Sequence, residues 1–111
     1  MGIVKLSQIG LNERIRIHED WIKRDIGPRP LFENLDLSYL DLRGSNLSHA
    51  NFTGCNLSHC NLRLVNFYRA DLQKANLSFA NVYETNFFRA NLNGAILNNV
   101  KYNENTMFFI E

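Results

Sequence analysis

The chain of 111 residues carries 12 Lys and Arg against 11 Asp and Glu, for a net charge of +1. This length and charge exclude a multidomain enzyme and give no bulk electrostatic reason to bind nucleic acid. No apolar run approaches ~18 residues and the N-terminus has no signal-peptide pattern, so we expect a cytoplasmic protein without a membrane span. In that compartment Cys55 and Cys60 are expected to stay thiols.

Residues 1–34 differ in composition from the rest of the chain and are predicted to form an N-terminal cap. Residues 3–6 (IVKL) are predicted to be a short strand, and residues 12–26 a helix that begins at Asn12 and stops at Gly27 and Pro28. Residues 28–32 (PRPLF) are predicted to be an extended connection to the remainder of the chain. The apolar helix face expected to cover that remainder consists of Leu11, Ile15, Trp21 and Ile22.

From Leu35 onward the chain divides into five-residue units, of which ANLSF at residues 75–79 is typical. The third position, here termed the centre, is apolar or aromatic in fourteen successive units. The second position is Asn or Asp in the first twelve units, and the first position is mostly small or apolar. The centres are Leu37, Leu42, Leu47, Phe52, Leu57, Leu62, Phe67, Leu72, Leu77, Val82, Phe87, Leu92, Leu97 and Tyr102.

A period of five fits neither a helix of about 3.6 residues per turn nor a strand with a two-residue repeat. It fits a chain whose first and third side chains point inward from a short extended segment that ends in a corner. Four such sides close a square coil of 20 residues, and successive coils stack about 4.8 Å apart. The Asn and Asp side chains then point outward beside the corner, where they can hydrogen-bond the local backbone.

The units match the pattern A(D/N)LXX, and residues 35–104 therefore resemble the pentapeptide-repeat family. The resemblance implies an all-β solenoid, a right-handed quadrilateral β-helix of about three and a half coils. Ile96 and Lys101 replace Asn or Asp in the last two units, so we expect an irregular final coil. The family is commonest in bacteria and their phages, which makes such a source our expectation.

Residues 105–111 come after the array and bring together Met107, Phe108, Phe109 and Ile110. An open β-helix end exposes apolar core and unpaired backbone, and it needs to be covered. Two interpretations stay open at this point. These side chains plug the end of the coil, or they form a homodimer contact, because some members of the family pair through their C-termini.

A zinc cluster is suggested by Cys55, Cys60, His49 and His59. The repeat places the two cysteines inward and the two histidines outward, so the four side chains cannot converge on one tetrahedral ion. We therefore predict no metal site and interpret both cysteines as core residues.

Acid–base chemistry is suggested by His18, Glu19 and Asp20, but no second group completes a pocket, and we assign all three to a solvated helix face. The sequence has no Gly-rich phosphate loop and no nucleophile motif. A coil filled with Leu and Phe also has no room for a substrate. These observations predict a protein without catalytic residues or cofactors.

The outer surface offers the remaining candidates, because residues 20 apart align in columns. Two adjacent sides interleave Arg with aromatic residues, a composition typical of binding hot spots. This predicted surface patch consists of Arg43, Arg63, Tyr68, Arg69, Tyr83, Phe88 and Arg89. His49 lies in the column of Arg69 and Arg89, while Tyr39, His59 and Phe79 form a separate column.

The sequence favours a non-catalytic module that binds another protein through this patch. The resemblance offers an alternative, since some family members imitate a DNA duplex and bind DNA gyrase to protect it from quinolones. Those members are strongly acidic, whereas residues 36–111 hold six basic and six acidic side chains, which disfavours mimicry. Weak anion or nucleic-acid binding through the Arg columns is a second alternative.

Overall fold

Backbone pairing with a twenty-residue repeat organises the structure, a computed structural model that describes residues 3–25 and 29–108. Parallel bridges join second positions of successive coils, as between Asn56 and Asn76, from Leu31 through to the pair of Asn86 and Met107. Each side carries a single bridge, so the sides are too short to be regular strands. The ladder begins at Leu31, one unit earlier than the predicted boundary at Leu35, because Phe32 already occupies a buried centre.

The corners of the coil combine a closed turn with a left-handed residue. The amide of Leu40 donates to the carbonyl of Leu37 at 3.2 Å, and the same contact recurs from unit to unit. The fifth position has positive φ in every unit from Asn34 to Asn99, with Tyr39 at 66° and Gly44 at 74°. Twelve successive second-position side chains, from Asp36 to Asn91, accept a hydrogen bond from the amide two residues later. The predicted role of Asn and Asp beside the corners is therefore confirmed.

The core is a filled stack of centres with small first-position residues between them. Its phenylalanine rings succeed one another along the coil axis, with Phe32 on Phe52 at 4.5 Å and Phe67 on Phe87 at 5.6 Å between centroids. All centres from Leu37 to Phe87 are at most 1% exposed. Tyr102 is an exception among the predicted centres because its side chain is 66% exposed.

Three first-position side chains with a hydroxyl or thiol, those of Cys55, Cys60 and Thr85, are buried, and each donates to a backbone carbonyl. The Oγ1 atom of Thr85 donates to the carbonyl of Leu62 at 2.6 Å, and the Sγ atom of Cys60 donates to that of Leu37 at 2.9 Å. Cys55 makes the equivalent contact with Phe32. Burial raises the pKa of both thiols to about 12, so neither cysteine forms a reactive thiolate at neutral pH.

Before the array come strand β1 (Val4–Lys5) and helix α1 (Gln8–Arg24). Strand β1 pairs in parallel with β2 (Leu35–Asp36). The helix begins four residues before the predicted start because Ser7, not Asn12, is the N-cap, its hydroxyl accepting from the amide of Gly10 at 3.0 Å. It ends before Asp25, which adopts φ 54°, and the predicted stop at Gly27 and Pro28 lies outside the described residues. Among the described residues, no helix has the length and apolar character needed to cross a bilayer.

Helix α1 contacts the first coil through side chains that meet its unpaired backbone. The side-chain amide of Gln8 accepts at Oε1 from the backbone N–H of Asp41 at 2.8 Å and donates from Nε2 to the backbone carbonyl of Asp41 at 2.8 Å. A carboxylate oxygen of Glu19 accepts from the backbone N–H of Asn46 at 2.8 Å. These contacts replace the bonds that a preceding coil would have supplied.

The buried face of α1 differs from the predicted one at His18. Leu11 and His18 are fully buried and Ile15 nearly so, whereas Trp21 and Ile22 are only half-buried. Residues 11, 15 and 18 have a spacing of four and three, which places them on one helix face. Assigning His18 to a solvated face was therefore wrong, and Glu19 is engaged with the coil rather than free.

At the other end of the array, the tail re-enters the ladder one residue late. Met107 pairs with Asn86, 21 residues away, and Phe108 stacks on Phe87 with centroids 5.3 Å apart. Phe108 thus takes the centre position that stacks on Phe87. Tyr102, the centre of the preceding side, does not enter the core. The Met107 side chain remains 47% exposed. Phe109 and Ile110, the other two residues of the predicted plug or dimer contact, lie outside the described residues.

Candidate interaction surface

The predicted patch lies on two consecutive sides of the coil, and its residues on the second of these sides contact one another. Tyr68 and Phe88 stack at 6.0 Å between centroids with an interplanar angle of 14°. The guanidinium of Arg69 lies over the Tyr68 ring and that of Arg89 over the Phe88 ring, each at 5.6 Å. Arg69 also donates to the Tyr68 hydroxyl at 3.2 Å. The four residues therefore form one continuous surface.

Corner geometry explains why these side chains project from the coil. Arg69 and Arg89 have φ of 56° and 60°, so each lies at the left-handed apex of a turn and is exposed. The amides of Tyr68 and Phe88 are held by the second-position residues Asn66 and Asn86. A repeated turn thus gives each ring and its neighbouring guanidinium the same direction in two successive coils.

Arg43, Arg63 and Tyr83 occupy the preceding side as a separate column. Arg43 is exposed and lines a groove of about 450 Å³ between α1 and the first coil, together with Arg16 and Glu19. The Nε atom of Arg63 is buried and has no hydrogen-bond partner among the described residues. Within the described part of the chain, no hydrogen bond, ion pair or ring contact joins this column to the surface formed by Tyr68, Arg69, Phe88 and Arg89.

One basic residue outside the predicted patch contacts the column that contains His49. Arg29 lies 20 residues before His49, which lies 20 before Arg69, and the guanidinium of Arg29 donates to the carbonyl of His49 at 2.8 Å. The same 20-residue spacing in the sequence could have revealed Arg29. An array that starts at Leu35 leaves Arg29 outside it, which is why the predicted patch does not include this residue.

The column of Tyr39, His59 and Phe79 forms an aromatic ladder on another side. His59 is stacked between Tyr39 at 4.4 Å and Phe79 at 4.9 Å, with interplanar angles of 5° and 3°. Tyr39 is 72% and Phe79 48% exposed. This ladder matches the patch in its aromatic content but carries no Arg, which makes it a useful control surface.

The thiols and imidazoles of the suggested zinc cluster are kept apart by the coil. Cys55 and Cys60 are buried, whereas His49 and His59 are exposed at left-handed corners. In the described ranges, 3–25 and 29–108, no three His, Cys, Asp or Glu side chains come together as metal ligands.

A four-sided coil with one parallel bridge per side and a left-handed residue at each corner defines a β-solenoid protein. The family described as pentapeptide repeats matches residues 31–63 and 66–101 in eight copies. This chain belongs to the pentapeptide-repeat family, and its array is accordingly a right-handed quadrilateral β-helix. Members of the family are generally structural or interaction modules.

Solved structures of other pentapeptide-repeat proteins resemble the chain. The alr5209 protein from Nostoc PCC 7120 is 28% identical over 100% of this chain and 90% of its own, with a TM-score of 0.56. HetL, from Nostoc sp. strain PCC 7120 and involved in heterocyst differentiation regulation, is 36% identical over 64% of this chain and 35% of its own, with a TM-score of 0.37. Rfr23 from Cyanothece 51142 is 26% identical over 77% of this chain and 68% of its own, with a TM-score of 0.30. No curated protein matches the chain.

Proposed function

We propose that this chain is a non-catalytic protein-interaction module whose binding surface is the patch. Its residues are Arg43, Arg63, Tyr68, Arg69, Tyr83, Phe88 and Arg89. The observation that carries the proposal is the contact between stacked rings and guanidinium groups on Tyr68, Arg69, Phe88 and Arg89. Arg and aromatic side chains are the residue types that contribute most to binding free energy at protein interfaces.

The architecture supports binding rather than chemistry. The core is filled by the centres, and the groups that first suggested acid–base work are committed to structure, with His18 buried and Glu19 bonded to Asn46. An array of repeated corners also holds the patch side chains in fixed register, which lowers the entropic cost of ordering them on binding. We include in the proposal a cytoplasmic location, a bacterial or phage source and the lack of a cofactor.

We also propose that helix α1 closes the array at its N-terminal end. Helix α1 acts as a cap, because Gln8 and Glu19 satisfy backbone groups of the first coil that no preceding coil can reach. Bridges between residues 31 and 107 span 77 residues, which supports an array of nearly four coils rather than the predicted three and a half. In an array of this length, each surface column contains only three or four residues.

Imitation of DNA for gyrase binding is disfavoured by the charge of the same surface. A duplex mimic presents carboxylates in place of phosphates, whereas the patch presents four arginines and the whole chain has a net charge of +1. Weak nucleic-acid binding would use the same arginines, and a competing oligodeoxynucleotide probe separates it from protein binding.

The experiment compares proteins captured from host lysate by the wild type and by two matched double variants. The first, Tyr68→Ala/Phe88→Ala, removes the ring pair of the patch, and the second, Tyr39→Ala/Phe79→Ala, removes an equally aromatic pair from the control ladder. Circular dichroism and thermal unfolding verify that each variant is folded. We expect one protein to be retained by the wild type and by the control variant and lost by the patch variant. Equal retention by all three would remove the patch from consideration.

A further inference from the structure

Three basic residues stack along the coil axis, and a fourth, which precedes the ladder of bridges, contacts the first of them. They are Arg29, His49, Arg69 and Arg89, each 20 residues from the next and each exposed. We refer to these four residues as the basic column. Successive coils stack about 4.8 Å apart, so His49, Arg69 and Arg89 repeat at that interval. Arg29 extends the column beyond the first coil through its hydrogen bond to the His49 carbonyl.

Every member of the basic column is held against an aromatic ring. The guanidinium of Arg29 lies 5.9 Å from the Trp21 ring, and the His49 imidazole meets the Tyr68 ring edge-on at 5.8 Å. Arg69 and Arg89 lie over their own neighbours at 5.6 Å. Arg29 uses one N–H group on the His49 carbonyl and Arg69 uses one on the Tyr68 hydroxyl, and the other N–H groups of each guanidinium can still bind a carboxylate. A guanidinium already held against a ring loses little further freedom when it does so.

The basic column has no acidic partner in the described ranges of the chain. The ion pairs found there join Lys5 to Asp36, Arg16 to Glu13 and Asp20, and Arg24 to Asp20, all outside the column. Asp25 is an acidic residue that shares a surface depression with His49 of the column and with Trp21. Like charges stacked at the strand spacing repel one another, and an anionic partner relieves that repulsion.

The spacing of the column selects among anionic partners. A helix rises about 1.5 Å per residue, so acidic residues at i, i+3, i+7 and i+10 lie at roughly 0, 4.5, 10.5 and 15 Å on one face. His49, Arg69 and Arg89 repeat at roughly 0, 4.8 and 9.6 Å, which matches the first three of these positions. An extended peptide presents one face only every ~6.6 Å and falls out of step by the third contact. A duplex strand advances about 3.4 Å per phosphate while winding around its axis, away from a straight column.

We propose that the partner presents an α-helix with an acidic stripe, which lies along the basic column with its axis parallel to the coil axis. This inference rests on the proposed protein-binding function and names the chemistry of its partner. Tyr68 and Phe88 form an apolar ledge beside the column, against which the flank of the partner helix packs. Carboxylates on the stripe pair with Arg69 and Arg89 at the centre of the contact.

The test uses fluorescent synthetic helices as probes and measures their affinity by fluorescence anisotropy. One Ala-rich peptide carries Glu at i, i+3, i+7 and i+10, and its isomer carries the same residues distributed around the helix. The protein is compared as wild type, as the column variant Arg69→Gln/Arg89→Gln, and as the control Lys74→Gln/Lys101→Gln. The control changes the net charge equally through two exposed residues outside the column. A single-stranded oligodeoxynucleotide of equal charge is the competing probe.

We expect the striped peptide to bind wild type and control alike, at least roughly tenfold more tightly than its isomer or than it binds the column variant. Equal affinity of the two peptides, or equal affinity of wild type and column variant, overturns the inference. Tighter column-dependent binding of the oligodeoxynucleotide overturns it as well. If the striped peptide fails while the lysate partner is still lost on changing Tyr68 and Phe88, protein binding stands and only the partner's chemistry is wrong. If the lysate experiment also fails, both proposals fall.

Discussion

The imidazole of His18 on helix α1 donates from Nε2 to the backbone carbonyl of Ser48 at 3.0 Å, and this bond ties the helix to the first coil. Since a carbonyl only accepts, Nε2 carries the proton and Nδ1 is the bare acceptor of the neutral ring. Nδ1 is buried and has no hydrogen-bond partner among the described residues. The ring lies between Trp21 at 5.7 Å and Phe32 at 5.9 Å, so protonation would place a charge among aromatic carbons.

This environment predicts that acid weakens the fold. Burial lowers the pKa of His18 below its ordinary value of 6.5, and the basic residues Arg29 and His49 add to the effect while the Ser48 carbonyl and Glu19 oppose it. The unfolded chain therefore binds this proton more tightly than the folded chain, and the free energy of unfolding falls as the pH drops below about 6.5. Urea unfolding between pH 7.5 and 5 measures the decline. His18→Gln keeps a donor for Ser48 but does not titrate, so its decline is expected to be shallower, and parallel curves for the two proteins would contradict the prediction.

Glu19 provides a test of backbone capping by a side chain. Its carboxylate accepts from the Asn46 amide at 2.8 Å, and Glu19→Ala leaves that amide at the open edge of the first coil. We expect the substitution to lower the free energy of unfolding by about 1–2 kcal/mol and to speed hydrogen exchange at the Asn46 amide. Glu19→Gln retains an acceptor oxygen and is expected to protect the amide. Unchanged exchange in Glu19→Ala would show that the contact is dispensable.

Thr85 tests the polar bonds inside the coil. Its hydroxyl is fully buried and donates to the Leu62 carbonyl at 2.6 Å. Thr85→Val preserves the shape but leaves that carbonyl without this donor, and we expect it to cost about 1–3 kcal/mol in urea unfolding. Thr85→Ser keeps the hydroxyl and removes one methyl group, so it isolates the packing contribution. A Val variant as stable as wild type would mean that the hydroxyl adds no net stability.

Position 75 tests the division between inward and outward residues. Ala75 is fully buried between coils, and Ala75→Phe has no space to fill, so we expect it to cost at least about 3 kcal/mol or to prevent folding. Gln73→Ala removes a half-buried side chain that hydrogen-bonds only the neighbouring Asp71, and we expect a cost below about 0.5 kcal/mol. Equal melting temperatures for the two variants would be incompatible with the coil.

The array is the part of this protein that its sequence determines. In extended backbone, alternate side chains point the same way, so a five-residue period with small first and large third positions dictates which of them enter the core. The roles of Leu77, Ala75 and Asn76 derive from their place in one unit, and they hold in almost every unit between residues 35 and 101. Columns on the outer surface arise from the same period, which is why Tyr68 and Phe88 could be paired before their rings were seen in contact.

Only the tertiary structure decided what happens where the period ends. His18 is polar by residue type, yet the first coil covers it, and the Ser48 carbonyl that compensates its burial is 30 residues away. Likewise the segment before Met107 is one residue longer than the 20-residue repeat requires, and Phe108 rather than its neighbour Met107 stacks on Phe87. The Tyr102 side chain, in contrast, is exposed to solvent. Such choices depend on which surface is left uncovered by the coil, and a local pattern carries no information about a surface that distant residues create.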